Sequence, residues 1–121
     1  MRYAVFLLAL IAAFMAGSVS AQKPVKIPAP RIVGAGTRSC AQFAEDYRKY
    51  PAVVDGLYGS WAQGFITGMN FGLFTQNVGP KEPPPSNEID ATLRSQCDQH
   101  PLKAYWQVVS DYFFALPFSA H

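Results

Sequence analysis

"GSWAQGFITGMNFG", residues 59–72, carries four glycines in fourteen positions yet has the apolar spacing of a helix. An interior glycine costs a helix about 1 kcal/mol relative to alanine, so their placement needs a physical reason. At four-residue steps Gly56, Ser60, Gly64, Gly68 and Gly72 form a seam of near-absent side chains. Leu57, Trp61, Phe65, Met69 and Leu73 form an adjoining ridge of large apolar groups. Residues four apart stack on one helix face. The pattern predicts a helix from about Val53 to Thr75, with a flat groove beside a ridge that is almost wholly buried near neutral pH. The groove would admit a second helix unusually closely, from a membrane, from the same chain or from another chain.

The chain begins "MRYAVFLLALIAAFMAGSVSAQ": one basic residue, an apolar run, then small residues ending Val19-Ser20-Ala21. This is the layout of a secretory signal peptide, residues 1–21, cleaved between Ala21 and Gln22. The run is short for a membrane span of about 20 residues. Removing Arg2 leaves nine basic and eight acidic residues, a balance that gives no reason to invoke nucleic acid or an anionic membrane. About 100 residues remain, the size of one small domain. Two cysteines, Cys40 and Cys97, in an exported chain read as one disulfide. The competing reading is a reactive thiol with His100 as its base. The expected location is the periplasm.

Residues 22–37, including "QKPVKIPAPRIVGAG", contain three prolines and read as an extended lead-in without a fold of its own. The domain then runs from 38 to 118. Ser39 is placed to cap a first helix with Cys40, Phe43, Ala44 and Tyr47 on one face, which Pro51 ends. After the seamed helix, "QNVGPKEPPPSN" at 76–87 cannot continue a helix. Ser86 or Asn87 caps a third, with Ile89, Leu93 and Cys97 four apart. Pro101 opens the last, which buries Leu102, Tyr105, Trp106, Val109, Tyr112, Phe113 and Leu116. The fold class is therefore all-α: a small bundle of about four helices tied by one disulfide. No charged residue lies between Gly56 and Pro80, but Ser60, Gln63, Thr67 and Asn70 spread around that helix and argue against a membrane span in the mature chain. The seam's neighbour is then the helix at 101–116, with a homodimer as the second choice.

A cysteine early in a first helix, "WAQGFITGMN", a variable loop, then "LRSQCDQHPL" leading into an amphipathic last helix resemble the HdeA/HdeB group of periplasmic proteins. The resemblance covers Ser39 to Phe114 and rests on the paired cysteines, the glycine-containing helix and the Cys-x-x-His-Pro turn. It implies a compact disulfide-tied helical domain and acid-activated holdase chaperoning of unfolded periplasmic proteins. The chain is similar, too, in size, compartment and cysteine use to Rap1a/Tai-like immunity proteins, which inhibit secreted cell-wall amidases. That likeness implies one specific protein partner.

Enzymatic chemistry finds little to work with. His100 and His121 are the only histidines, and a metal site needs three or four converging ligands. Asp98 and His100 read as cap and turn residues, and no nucleophile elbow, phosphate loop or zinc signature occurs. The expectation is a non-enzymatic binding protein without cofactor. In acid, with carboxylates neutral and both histidines charged, the exported chain would reach about +11. Under the chaperone reading that charge would expose Trp61, Phe65, Met69, Trp106 and Phe113 to clients. Under the inhibitor reading the protein stays folded and presents a rigid surface, with the 76–87 connection as candidate.

Overall fold

The computed structural model describes residues 23, 24, 26 and 28–120; the signal segment and its cleavage point lie outside them. Among the described residues there are four α-helices and no strand: α1, Cys40–Lys49; α2, Pro51–Thr75; α3, Ser86–Gln99; and α4, Tyr105–Ala115. A 3₁₀ turn, Gly34–Thr37, precedes α1. No helix among them is long and apolar enough to cross a membrane.

Local chemistry explains most boundaries. Ser39 caps α1: its hydroxyl accepts from the Gln42 amide at 3.2 Å, and its own amide donates to Gln42 Oε1 at 3.0 Å. Pro51 both ends α1 and begins α2, where its missing N–H costs nothing. Asn77 leaves α2 at φ 57°, a left-handed turn that asparagine tolerates. The amide of Val78 there returns to the Leu73 carbonyl. α3 departs from expectation: Ser86 is its first residue, and the Pro85 carbonyl accepts the Glu88 and Ile89 amides with no side-chain cap.

The structure departs furthest from the sequence pattern at "DQHP". Pro101 does not open a helix; residues 101–104 form a turn that serves the start of α1. The Cys40 and Ala41 amides, which no helical carbonyl satisfies, donate to Lys103 and Pro101 carbonyls at 2.9 and 3.0 Å. The Tyr105 amide donates to the Arg38 carbonyl at 2.7 Å. Leu102, at the turn's tip, is 95% exposed rather than buried.

The lead-in is docked at its end. Trp61 Nε1 donates to the Val33 carbonyl at 2.8 Å, and Ala35 and Gly36 are buried. A side chain at Gly36 would overlap the Trp61 ring. Residues 33–37 therefore belong to the fold, because the indole supplies both a donor and a flat surface.

α2 faces the core with Val54, Tyr58, Gly59, Ala62 and Ile66, not with the glycine seam. Four residues turn a helix through about 400°, so an i, i+4 row drifts by about 40° per step. Over sixteen residues the seam wraps nearly halfway round. Gly56, Ser60, Gly64 and Gly68 are exposed, and a Cβ at Gly56, Gly64, Gly68 or Gly72 would meet nothing within 4 Å. The ridge drifts likewise, from Leu57, 58% exposed, through half-buried Trp61, Phe65, Met69 and Leu73. The glycine that does pack is Gly59, where a Cβ would lie 2.9 Å from Asp90 Oδ1. Of the last helix's expected client groups, Phe113 is fully buried and Trp106 half-buried.

The core centres on aromatic rings from three helices. Phe43 lies 4.7 Å from Tyr58 and 5.3 Å from Tyr105, and the two tyrosines meet edge to face at 5.0 Å. Both hydroxyls find acceptors, Tyr58 on Asp46 Oδ2 and Tyr105 on the Tyr58 carbonyl. Burial pushes the Tyr58 hydroxyl up to about 12. The Cys40–Cys97 disulfide joins the start of α1 to the end of α3. Its 57-residue separation implies that loop-closure entropy contributes about 4 kcal/mol. Replacing both cysteines by alanine is expected to lower unfolding free energy by about 2–5 kcal/mol, read by urea titration; a loss under about 1 kcal/mol would show that the packed core alone holds α1 to α3.

Candidate protein-binding surface

The outward face of α2 is the most distinctive surface of the domain. Val53, Leu57, Ser60, Gly64, Thr67, Phe71 and Phe74 are spaced alternately four and three apart, and all are exposed. This spacing follows one face of a helix for three heptads. Val53, Leu57, Phe71 and Phe74 are between 58% and 71% exposed. No charged residue intervenes between Asp55 and Lys81. Thr67 donates its hydroxyl to the Gln63 carbonyl and Thr75 to the Gly72 carbonyl, both at 2.8 Å. Those hydroxyls need no partner from outside. The large apolar groups stand in two pairs, Val53 with Leu57 and Phe71 with Phe74, with Ser60, Gly64 and Thr67 between them, and exposed apolar groups gathered on one face are candidate interaction sites. The exposed glycines each cost the helix about 1 kcal/mol, and among the described residues nothing lies within 4 Å of where a Cβ at Gly56, Gly64 or Gly68 would stand.

One end of this face is braced. Lys81, only 9% exposed, carries its ammonium to the Phe114 and Leu116 carbonyls at 3.0 and 2.5 Å. A cation there satisfies the carbonyls that the end of α4 leaves unpaired. The ammonium lies 4.5 Å from the Phe118 ring centroid, a cation–π contact. Asn70 holds the Lys81 backbone on both sides, donating to its carbonyl at 2.9 Å and accepting its amide at 2.8 Å. The Glu82 amide donates to Pro117 and the Ser119 amide to Pro80. The proline-rich connection is thereby fixed to α2 and to the chain's C-terminal residues. Phe71, Phe74, Val78, Phe114 and Phe118, on the segments that this brace joins, are all exposed.

Other candidates are less developed. An open cleft of about 300 Å³ between α1 and α3 is lined by Phe43, Ala44, Tyr47, Arg48, Arg94 and Asp98. Arg94 is already engaged, 2.7 Å from Asp55 and stacked 4.8 Å from the Tyr47 ring. Cys97 is in the disulfide, so it offers no thiol to His100. His100 is an exposed C-cap whose amide returns to the Cys97 carbonyl. Among the described residues no three His, Cys, Asp or Glu side chains gather as a metal ion requires. Comparison with protein-family models, curated proteins and solved structures returned no match.

The electrostatics bear on acid behaviour. Asp90 lies against Gly59 between α2 and α3, its Oδ1 buried without a hydrogen-bond partner among the described residues. Burial pushes its carboxyl above the usual range, the charge of Asp55 adds to this, and Arg94 opposes it. A carboxylate raised in the folded state contributes stability below its unfolded value, about 3.9, and that contribution is lost as pH rises through the folded value. Acid therefore favours the fold at this site. Glu45 is lowered by its hydrogen bond to Lys49, but on the open surface. Asp90→Asn is expected to raise the melting temperature at pH 7 and to have little effect below the carboxylate range. A lower melting temperature at pH 7 would show that the ionised carboxylate supports the fold.

Proposed function

We propose that this is an exported, non-enzymatic binding protein that engages a protein partner in its folded state through the outward face of α2 and the braced aromatic end. The observation that carries this reading is the uncharged stripe from Val53 to Phe74, exposed while the core behind it is closed. Aromatic side chains on a rigid frame are the usual anchors of protein recognition. Their ordering cost on binding is small, because Asn70 and Lys81 already fix the surrounding chain. The disulfide favours an oxidising compartment, in keeping with export and cleavage before Gln22. The periplasm is the proposed location.

Among the two resemblances, these features favour an inhibitor-like protein over a chaperone opened by acid. The stripe is available without unfolding, and protonation of Asp90 supports the fold. Exposed Val33, Tyr50 and Leu102, outside α2 and the braced end, favour a second reading, a holdase that binds unfolded clients less selectively.

Near-ultraviolet circular dichroism and apolar-dye binding at pH 7 and at about pH 3, just below the carboxylate reference values, separate the two. The proposal expects the same tertiary signal at both pH values. Dye binding should already be present at pH 7 and fall several-fold in Leu57→Asp/Phe71→Asp. Loss of tertiary signal in acid, a rise in dye binding and protection of an aggregating client would establish the holdase instead.

A further inference from the structure

We infer that the cleft between α1 and α3 binds a dipeptide, with its ammonium at Asp98 and its carboxylate at Arg48 and Arg94. No residue of α2 lines this cleft, so the inference is independent of the surface proposed above. The cleft has a volume of about 300 Å³, at the lower end of the range of small-molecule sites. Phe43, Ala44 and Tyr47 supply an apolar lining, and Arg48, Arg94 and Asp98 supply charge.

The charged groups do not neutralise one another. Arg94 and Asp98 stand four apart on α3, a spacing at which opposite charges can pair. Arg94 is drawn instead to Asp55, 2.7 Å away, and lies 4.8 Å from the Tyr47 ring. Of the three salt bridges among the described residues, none includes Arg48 or Asp98. Asp98 is in the last turn of α3, which has no basic residue. The helix dipole makes that end negative, so dipole and carboxylate together attract a cation. Arg48, in the last turn of α1, follows the tyrosine on which Arg94 stacks and forms with Arg94 the opposite pole.

The separation of the poles selects the length of the ligand. Asp98 follows Cys97, at the disulfide that joins the start of α1 to the end of α3. Arg94 is one turn back along α3, about 6 Å at a rise of about 1.5 Å per residue. A free amino acid holds its ammonium nitrogen and carboxylate carbon only about 2.5 Å apart. An extended dipeptide sets them about 6 Å apart, and a third residue adds about 3.5 Å. Two residues therefore match the charged ends, and apolar side chains on them suit Phe43, Ala44 and Tyr47.

Amide chemical shifts of the isotope-labelled exported chain, titrated at pH 7 with the dipeptide leucyl-phenylalanine, test the site. Saturable shifts are expected around Ala44, Arg48, Arg94 and Asp98, with the outer face of α2 unmoved. Free leucine should bind at least tenfold more weakly. Acetylating the dipeptide's amine, or amidating its carboxylate, should each weaken binding about three- to tenfold, as loss of a partly exposed charged contact does. Asp98→Asn should bind the acetylated and free dipeptides equally, and Arg48→Met should lose most of the preference for the free carboxylate. Both side chains are exposed, and spectra unchanged away from the cleft will show that the variants fold. No saturable shift in α1 and α3, or shifts confined to α2, would overturn the site. Equal affinity for free leucine would overturn the assigned length. An acetylation effect that persists in Asp98→Asn would overturn the assigned orientation.

Discussion

The join between α1, α3 and the turn after α3 is the constraint on which the rest of the domain depends. Cys97 at the end of α3 is bonded to Cys40 at the start of α1. Four to six residues later, the Pro101 and Lys103 carbonyls take the first amides of α1. The covalent bond and these hydrogen bonds hold the same pair of helix ends together, so neither helix is free to choose its angle independently. α4 must then begin at Tyr105, whose ring enters the aromatic centre with Phe43 and Tyr58. α2 is left to cover that centre with Val54, Tyr58, Ala62 and Ile66. Among the described residues no helix packs against its opposite face.

The functional reading follows from that shortage of partners. A 25-residue helix needs apolar residues on its inner face only, yet α2 carries them outside too. Its exposed glycines weaken the helix and fill no internal close contact. The opposite economy holds at the far end, where Lys81 and Asn70 use buried polar groups to fix a proline-rich connection. Flexibility there would have been the simpler outcome for such a loop. A stiffened loop next to exposed phenylalanines is the feature on which the proposed recognition surface rests. Protonation of Asp90 in acid favours the contact between α2 and α3.

Much of the fold was legible in the sequence because it is written in local signals. Ser39 marked the start of α1, Pro51 its end, and Ile89, Leu93 and Cys97 the inner face of α3. The two cysteines defined the single cross-link. The site was harder to read, since the large residues of α2 lie on both sides of the helix and a four-residue row looks straight only over a turn or two. Reading the seam at alternating four and three steps would have grouped Leu57, Gly64 and Phe71 on one face. What could not be read locally were long-range polar contacts: the indole of Trp61 on Val33, the Lys81 ammonium on the end of α4, and the turn at 101–104 serving α1. Each joins residues far apart in the chain, and no spacing rule encodes them.

Side-chain footprinting by hydroxyl radicals, at pH 7 and pH 3 and at concentrations where the protein is monomeric, tests the central claim most directly. The account predicts rapid oxidation of Leu57, Phe71 and Phe74 and strong protection of Tyr58, Tyr105 and Phe113 at both pH values. Protection of Phe71 and Phe74 in the monomer, or loss of protection at Phe113 and Tyr58 in acid, would contradict a closed domain whose outer α2 face stays exposed.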